Sequence, residues 1–169
     1  MDKDQYILPL IVILAVIIIL VVAYAFSGNN SFNSGTVSFE YPNEWAQQQS
    51  IGNFSNSSLY SSITLTNNYG NSTQPSYIII QMQQKTNGAL NLPSTNNVVL
   101  NTTNSSVASA SVDNITATQI GSVGANLATK YTIISKNNHY YLITFICPKS
   151  SLNQTESSYN TILSTLKIS

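Results

Sequence analysis

Residues 6–26 pass without a single charged side chain, and Ile, Leu, Val and Ala fill most of the stretch. About 20 helical residues span the roughly 30 Å of hydrocarbon in a bilayer. A core helix in a short chain is seldom apolar on every face over that length. The run therefore belongs in a membrane. Pro9 fits, because it falls in the first turn, where its missing N–H removes no intrahelical bond. No other stretch of the sequence is comparably apolar, which limits the chain to one span.

The flanks set the orientation. Lys3 precedes the run, and no Lys or Arg follows it until Lys85. The positive-inside rule counts these cations and largely ignores Asp2 and Asp4, so it places the N-terminus inside. Residues 1–5 are then a short cytoplasmic tail, 6–26 a transmembrane helix, 27–35 a linker and 36–169 an extracytoplasmic domain at the cell surface. A cleaved signal peptide is the alternative, since Ala23, Tyr24 and Ala25 fit a small-x-small cleavage pattern. The run is longer than a usual signal core and its positive n-region is weak, so an uncleaved signal-anchor is preferred.

The remaining residues suffice for one domain with a real core. Charge is sparse at 7% of residues, formally balanced, with no Arg at all. Nucleic-acid binding needs clustered cations to neutralise phosphates, and none are present. Solubility falls to Asn, Ser, Thr, Gln and Tyr. Cys147 is the one cysteine, so no intramolecular disulfide staples the fold.

Alternation of apolar residues predicts strands over 36–41, 61–66 and 77–82. A further strand is expected over 114–120, ended by Gly121 to Gly124. The strongest local signal is a hairpin: runs 128–135 and 140–147 flank Lys136, Asn137, Asn138 and His139, and Asn tolerates the positive φ of tight turns. Pro148 ends the second run. Tyr159, Ile162, Leu163 and Leu166 then recur at i, i+3, i+4 and i+7, predicting a helix over 153–166 with Asn153 as N-cap and Glu156 three residues on. Residues 87–100 admit a short helix or irregular turns. Residues 47–58, 67–76 and 101–111 read as polar loops, the last alternatively as an edge strand. Phe39, Trp45, Tyr141, Ile143, Phe145 and Leu163 are the expected shared core. The class is α+β: an antiparallel sheet with a helix lying on it.

Two segments carry a resemblance. Gly35 leads into Phe39, Tyr41, Pro42 and Trp45, and the run Tyr140 to Phe145 is followed by Pro148 and a helix closing on Leu163, Leu166 and Ile168. Gly121 to Ala125 falls in matching order ahead of the Tyr131 strand. Together these resemble the PsbP-like domain, an α/β/α sandwich, and in particular membrane-tethered PsbP-related proteins of methanogenic archaea. The resemblance implies an antiparallel sheet with flanking helices. Plant members of that family assist photosystem assembly, and no residue of this sequence carries that role over. A shared fold does not transfer function.

No catalytic constellation is evident. His139, the single His, reads as an exposed turn residue. Cys147 reads as a buried inert thiol, with an intermolecular disulfide as its alternative. Glu40, Glu44, Asp113 and Glu156 are scattered, and no zinc spacing, calcium loop or phosphate loop occurs. Catalytic residues, cofactor and metal are all expected to be absent. Eight Asn-x-Ser/Thr sequons, at Asn29, Asn53, Asn56, Asn71, Asn101, Asn104, Asn114 and Asn153, are candidate glycosylation sites, against about five expected by chance. The expected role is a non-catalytic, membrane-anchored binding or accessory module. Its partners would be surface proteins or glycans met on a neutral surface formed by the three polar loops, with Lys130, Lys136 and Lys149 left out of it. A pilin-like filament subunit or an enzyme are the alternatives.

Overall fold

The computed structural model describes residues 28–68, 74–85 and 105–169. The apolar run 6–26 and the segment 87–100 lie outside the described residues. Among those described, no helix is long and apolar enough to cross a membrane.

Among the described residues, ten strands and one α-helix follow in the order β1 (Asn29–Ser34), β2 (Val37–Pro42), β3 (Ala46–Ile51), β4 (Tyr60–Asn67), β5 (Ser76–Gln84), β6 (Ser105–Val112), β7 (Ile115–Val123), β8 (Leu127–Lys136), β9 (His139–Pro148), a 3-10 turn (Lys149–Ser151), α1 (Leu152–Thr165) and β10 (Lys167–Ile168). Strands β3-β4-β5-β9-β8-β7-β6 make one antiparallel sheet, and β1-β2-β10 a smaller one. The expected hairpin is β8–β9, with Lys136 opposite His139. Asn137 and Asn138 form its two-residue turn at φ 49° and 58°, the left-handed pair that matches strand twist. Asp113 and Asn114 repeat the device between β6 and β7 at φ 50° and 60°.

Strand β9 is central and buried along most of its length. Its Tyr141, Ile143 and Phe145 share one face with Ile78, Ile80 and Met82 of β5. Helix α1 lies on that face through Thr155, Ser158, Tyr159, Ile162 and Leu163, and the Tyr159 ring stacks on Phe145 with 5.3 Å between centroids. All six expected core residues are buried in one cluster. The small sheet closes the same side, carrying Phe32 onto Phe39 at 5.0 Å and edge-on to Phe54 at 5.7 Å.

Several sequence expectations need correction. The expected linker 27–35 contains β1, held by the inward Phe32 and by a turn at Gly35. Gly35 has φ 57°, and a Cβ there would lie 2.3 Å from the Asn53 carbonyl oxygen, so only glycine fits. The ordered domain thus begins before residue 36. Residues 47–51 of the expected loop 47–58 belong to β3. Strand β7 continues through Gly121 to Val123, paired with β8. Helix α1 starts at Leu152 with Ser151 as N-cap, and Asn153 is inside it. One α-helix on one face of the sheet stands among the described residues, where the resemblance implied flanking helices.

Candidate functional site

Registers across the large sheet fix which side chains line its second face, where Ile120, Leu142, Thr144, Ser62 and Ser122 are buried and their neighbours partly or fully exposed. One row runs Gln49, Thr64, Ile79, Thr144, Tyr131, Ile120, Val107. The next runs Thr66, Tyr77, Ile146, Thr129, Ser122, Ser105. Toward the other end lie Ser62, Gln81, Leu142, Ile133, Thr118 and Ser109, then Tyr60, Gln83, Tyr140 and Ser135. Every one of these side chains is uncharged. Tyr60 accepts a hydrogen bond from Gln81 Nε2 at 2.9 Å, and Lys85 reaches the rim with its Nζ 4.9 Å from the Tyr140 ring centroid.

The charges gather on the other side. Lys130 pairs with Glu156 of α1. Asp113 Oδ2 accepts from Lys136 Nζ at 3.1 Å and from the Ile168 N–H at 3.1 Å, and Lys167 lies 3.5 Å from Oδ1. The Ile168 N–H, then Lys136 and Lys167, hold the Asp113 carboxyl below its usual range against the opposing effect of burial. This clasp ties β10 to the β6–β7 turn. Two of the three expected bystander cations are therefore ion-paired, and Lys149 is exposed beyond β9.

On the second face, Gln48, Gln49, Thr64, Thr66, Asn68, Pro75 and Tyr77 line a cleft of about 280 Å³. Sites that enclose a drug-sized ligand run from about 300 to 1,000 Å³, so this one admits a single ring or side group of a larger partner. Amides and hydroxyls supply donors and acceptors there, and Tyr77 adds an aromatic body with a polar tip. Two of the three expected binding loops meet here: Gln48 and Gln49 come from 47–58, Asn68 and Pro75 from 67–76. The third does not. Its described part is edge strand β6, at the far side of the sheet. Threonines of β4 and Tyr77 of β5 are the contributors that sequence reading missed; their signal was the polar half of each strand's alternation.

His139 corrects an expectation. It is 1% exposed, with Nδ1 2.8 Å from the Asn137 carbonyl oxygen and Nε2 3.1 Å from that of Ser58. It anchors the segment before β4 rather than facing solvent. Cys147 is a buried free thiol, and burial pushes its pKa up; a raised thiol is a poor nucleophile at neutral pH. The two sit at opposite ends of β9. Among the described residues no group of three or more His, Cys, Asp or Glu side chains could hold a metal ion.

The structure sorts the sequons. Asn56 is exposed in a turn and Asn114 is exposed at a turn apex. Asn29 donates its amide to Glu40 at 3.1 Å. Asn53 Oδ1 accepts from the Ser55 N–H and the Ser58 hydroxyl. Asn153 is exposed on α1, but Thr155 of its sequon is buried and donates to the Ser151 carbonyl at 2.8 Å. Asn71, Asn101 and Asn104 lie outside the described residues.

An antiparallel sheet carrying one C-terminal helix, with the Phe39 and Trp45 motif packed beneath it, is a PsbP-like fold. Among solved structures it is similar to the cyanobacterial PsbP, CyanoP, of Synechocystis sp. PCC 6803, with a TM-score of 0.53 at 8% identity over 85% of this chain and 94% of that one. It is also similar to LpqN of Mycobacterium tuberculosis, a protein involved in cell envelope biogenesis, with a TM-score of 0.54 at 13% identity over 84% of this chain and 91% of that one. A Bacteroides thetaiotaomicron VPI-5482 protein gives a TM-score of 0.52 at 14% identity; 85% of this chain matches 49% of that longer one. No family model matches the sequence, and no curated protein does.

Proposed function

We propose that this protein is a membrane-anchored, extracytoplasmic accessory module that binds a neutral, hydroxyl- or amide-rich partner at the Tyr77 cleft. The uncharged second face of the sheet carries this reading. Among the described residues the only charge near this face is Lys85 at the rim by Tyr140, so the cleft gains little from long-range attraction and selects instead by hydrogen bonds and ring stacking. Glycans and exposed protein backbone present that chemistry. The apolar run 6–26 and its cation-free outer flank supply the anchor and the orientation. The PsbP-like fold shared with CyanoP supports reading the domain as an accessory module.

The test is a glycan array and a surface-protein pull-down with the full chain in detergent, repeated with Tyr77→Ala. Specific capture that the substitution lowers at least tenfold is the expected result. Binding should persist from low to high salt, because few screened charges take part. A partner lost as salt rises, or one indifferent to Tyr77, would refute the assignment. Protease added to intact cells should remove the domain, while the protein stays with carbonate-washed membranes.

A further inference from the structure

We propose that the outer edge of β6 pairs antiparallel with β6 of a second copy of this chain, joining two sheets across a two-fold axis. Among the described residues β6 is the last strand of the large sheet. Strand edges expose unpaired N–H and C=O groups, and proteins normally guard them with charge, proline or a bulge. The opposite edge, β3, is guarded by a register shift between Gln47 and Gln49. Strand β6 has none of these guards: its eight residues are Ser, Ala and Val, with regular pairing to β7 from end to end.

The turn geometry shows which groups are free. Asp113 and Asn114 close a two-residue turn, so Val112 and Ile115 form the hydrogen-bonded pair beside it. Counting back by twos, Ala110, Ala108 and Ser106 also turn their backbone toward β7. Ser105, Val107, Ser109 and Ser111 turn theirs outward. A two-fold axis at Ala108 sets Ser105 against Ser111 of the second copy and Val107 against Ser109, so every outward group meets a partner. No charge opposes its own image across that axis, which is the repulsion that keeps charged edges apart. The small Ser and Ala side chains let the strands close to ladder distance. Val107, 60% exposed, gains cover from its diagonal mate in the second copy.

One strand pair buries less than the roughly 1,200–2,000 Å² of a stable interface, so the dimer should depend on concentration. Sedimentation of the full chain in detergent should show mass rising from one chain to two between micromolar and millimolar protein. Ser109→Pro removes an outward N–H without touching the β7 ladder and should abolish the rise with unchanged thermal unfolding. Val107→Lys should weaken it at least tenfold, while Gln48→Lys on the other edge leaves it intact. A monomer at every concentration, or a dimer that survives both β6 substitutions, overturns the proposal. So does a dimer lost only through Gln48→Lys.

Discussion

At the scale of single residues, His139 shows how far a side chain's surroundings can depart from its sequence neighbours. Directly after an asparagine pair it reads as solvated. Its burial comes from Ser58, 81 positions earlier, brought over the turn when the segment before β4 folds. Its two ring nitrogens lie within hydrogen-bond distance of the Asn137 and Ser58 carbonyl oxygens, which holds the ring in place. His139→Phe should keep the ring volume yet cost about 1–3 kcal/mol in urea unfolding, by leaving a buried carbonyl without its donor. Tyr159 gives a pH signature. Burial pushes its phenol up to about 12, against a lowering by its Thr132 hydrogen bond. In the unfolded chain it ionises near the ordinary value of 10. The unfolded state thus loses this proton first as pH rises, so the contribution to stability is whole below about 10 and is lost as pH climbs through 12. Tyr159→Phe should shallow this alkaline fall in urea midpoints. It should not abolish it, because burial raises Tyr141 too.

At the scale of elements, alternation and turn chemistry located strands well where both agreed. The β8–β9 hairpin was legible because its two residue runs and its Asn-Asn turn give the same answer. Asn138 sits at φ 58°, where a β-branched residue is strained. Asn138→Val should destabilise by about 1–2 kcal/mol, and Asn138→Gly should be neutral or better, both read from thermal or urea midpoints. Strand β1 was illegible because only Phe32 of its six residues faces the core. A strand with one buried side chain carries no periodicity. Strand β7 outran its predicted end because Gly121 is an ordinary ladder position beside Ser106, whose hydroxyl leaves little room for a Cβ at 3.2 Å.

At the scale of the whole molecule, the core unites β5, β9, α1 and the small sheet. Phe145 is central to it, fully buried and stacked on Tyr159. Phe145→Ala should cost about 3–5 kcal/mol, since it removes a large apolar group and leaves a cavity that the flanking strands cannot fill. Calorimetry or urea unfolding checks this, and a loss below about 1 kcal/mol would place Phe145 off the packed face. Among the described residues, the gathering of charge away from the second face, Lys85 at its rim excepted, is also a property of the whole. Seven strands each contribute alternate uncharged residues, and only their registers bring those residues onto one face.

The α+β class, the central hairpin, the amphipathic helix and the identity of the core were all written in local patterning, because 2.0 and 3.6 residue periods survive without knowledge of neighbours. The PsbP-like architecture was legible in the motif from Phe39 to Trp45 and the closing strand and helix. Tertiary structure alone decided what lies side by side. It buried His139, drew β1 out of an apparent tether, clasped Asp113 to the C-terminal strand, and set Gln49, Thr66 and Tyr77 around one cleft. Those outcomes depend on contacts between residues far apart in the chain, and no window of sequence contains both partners.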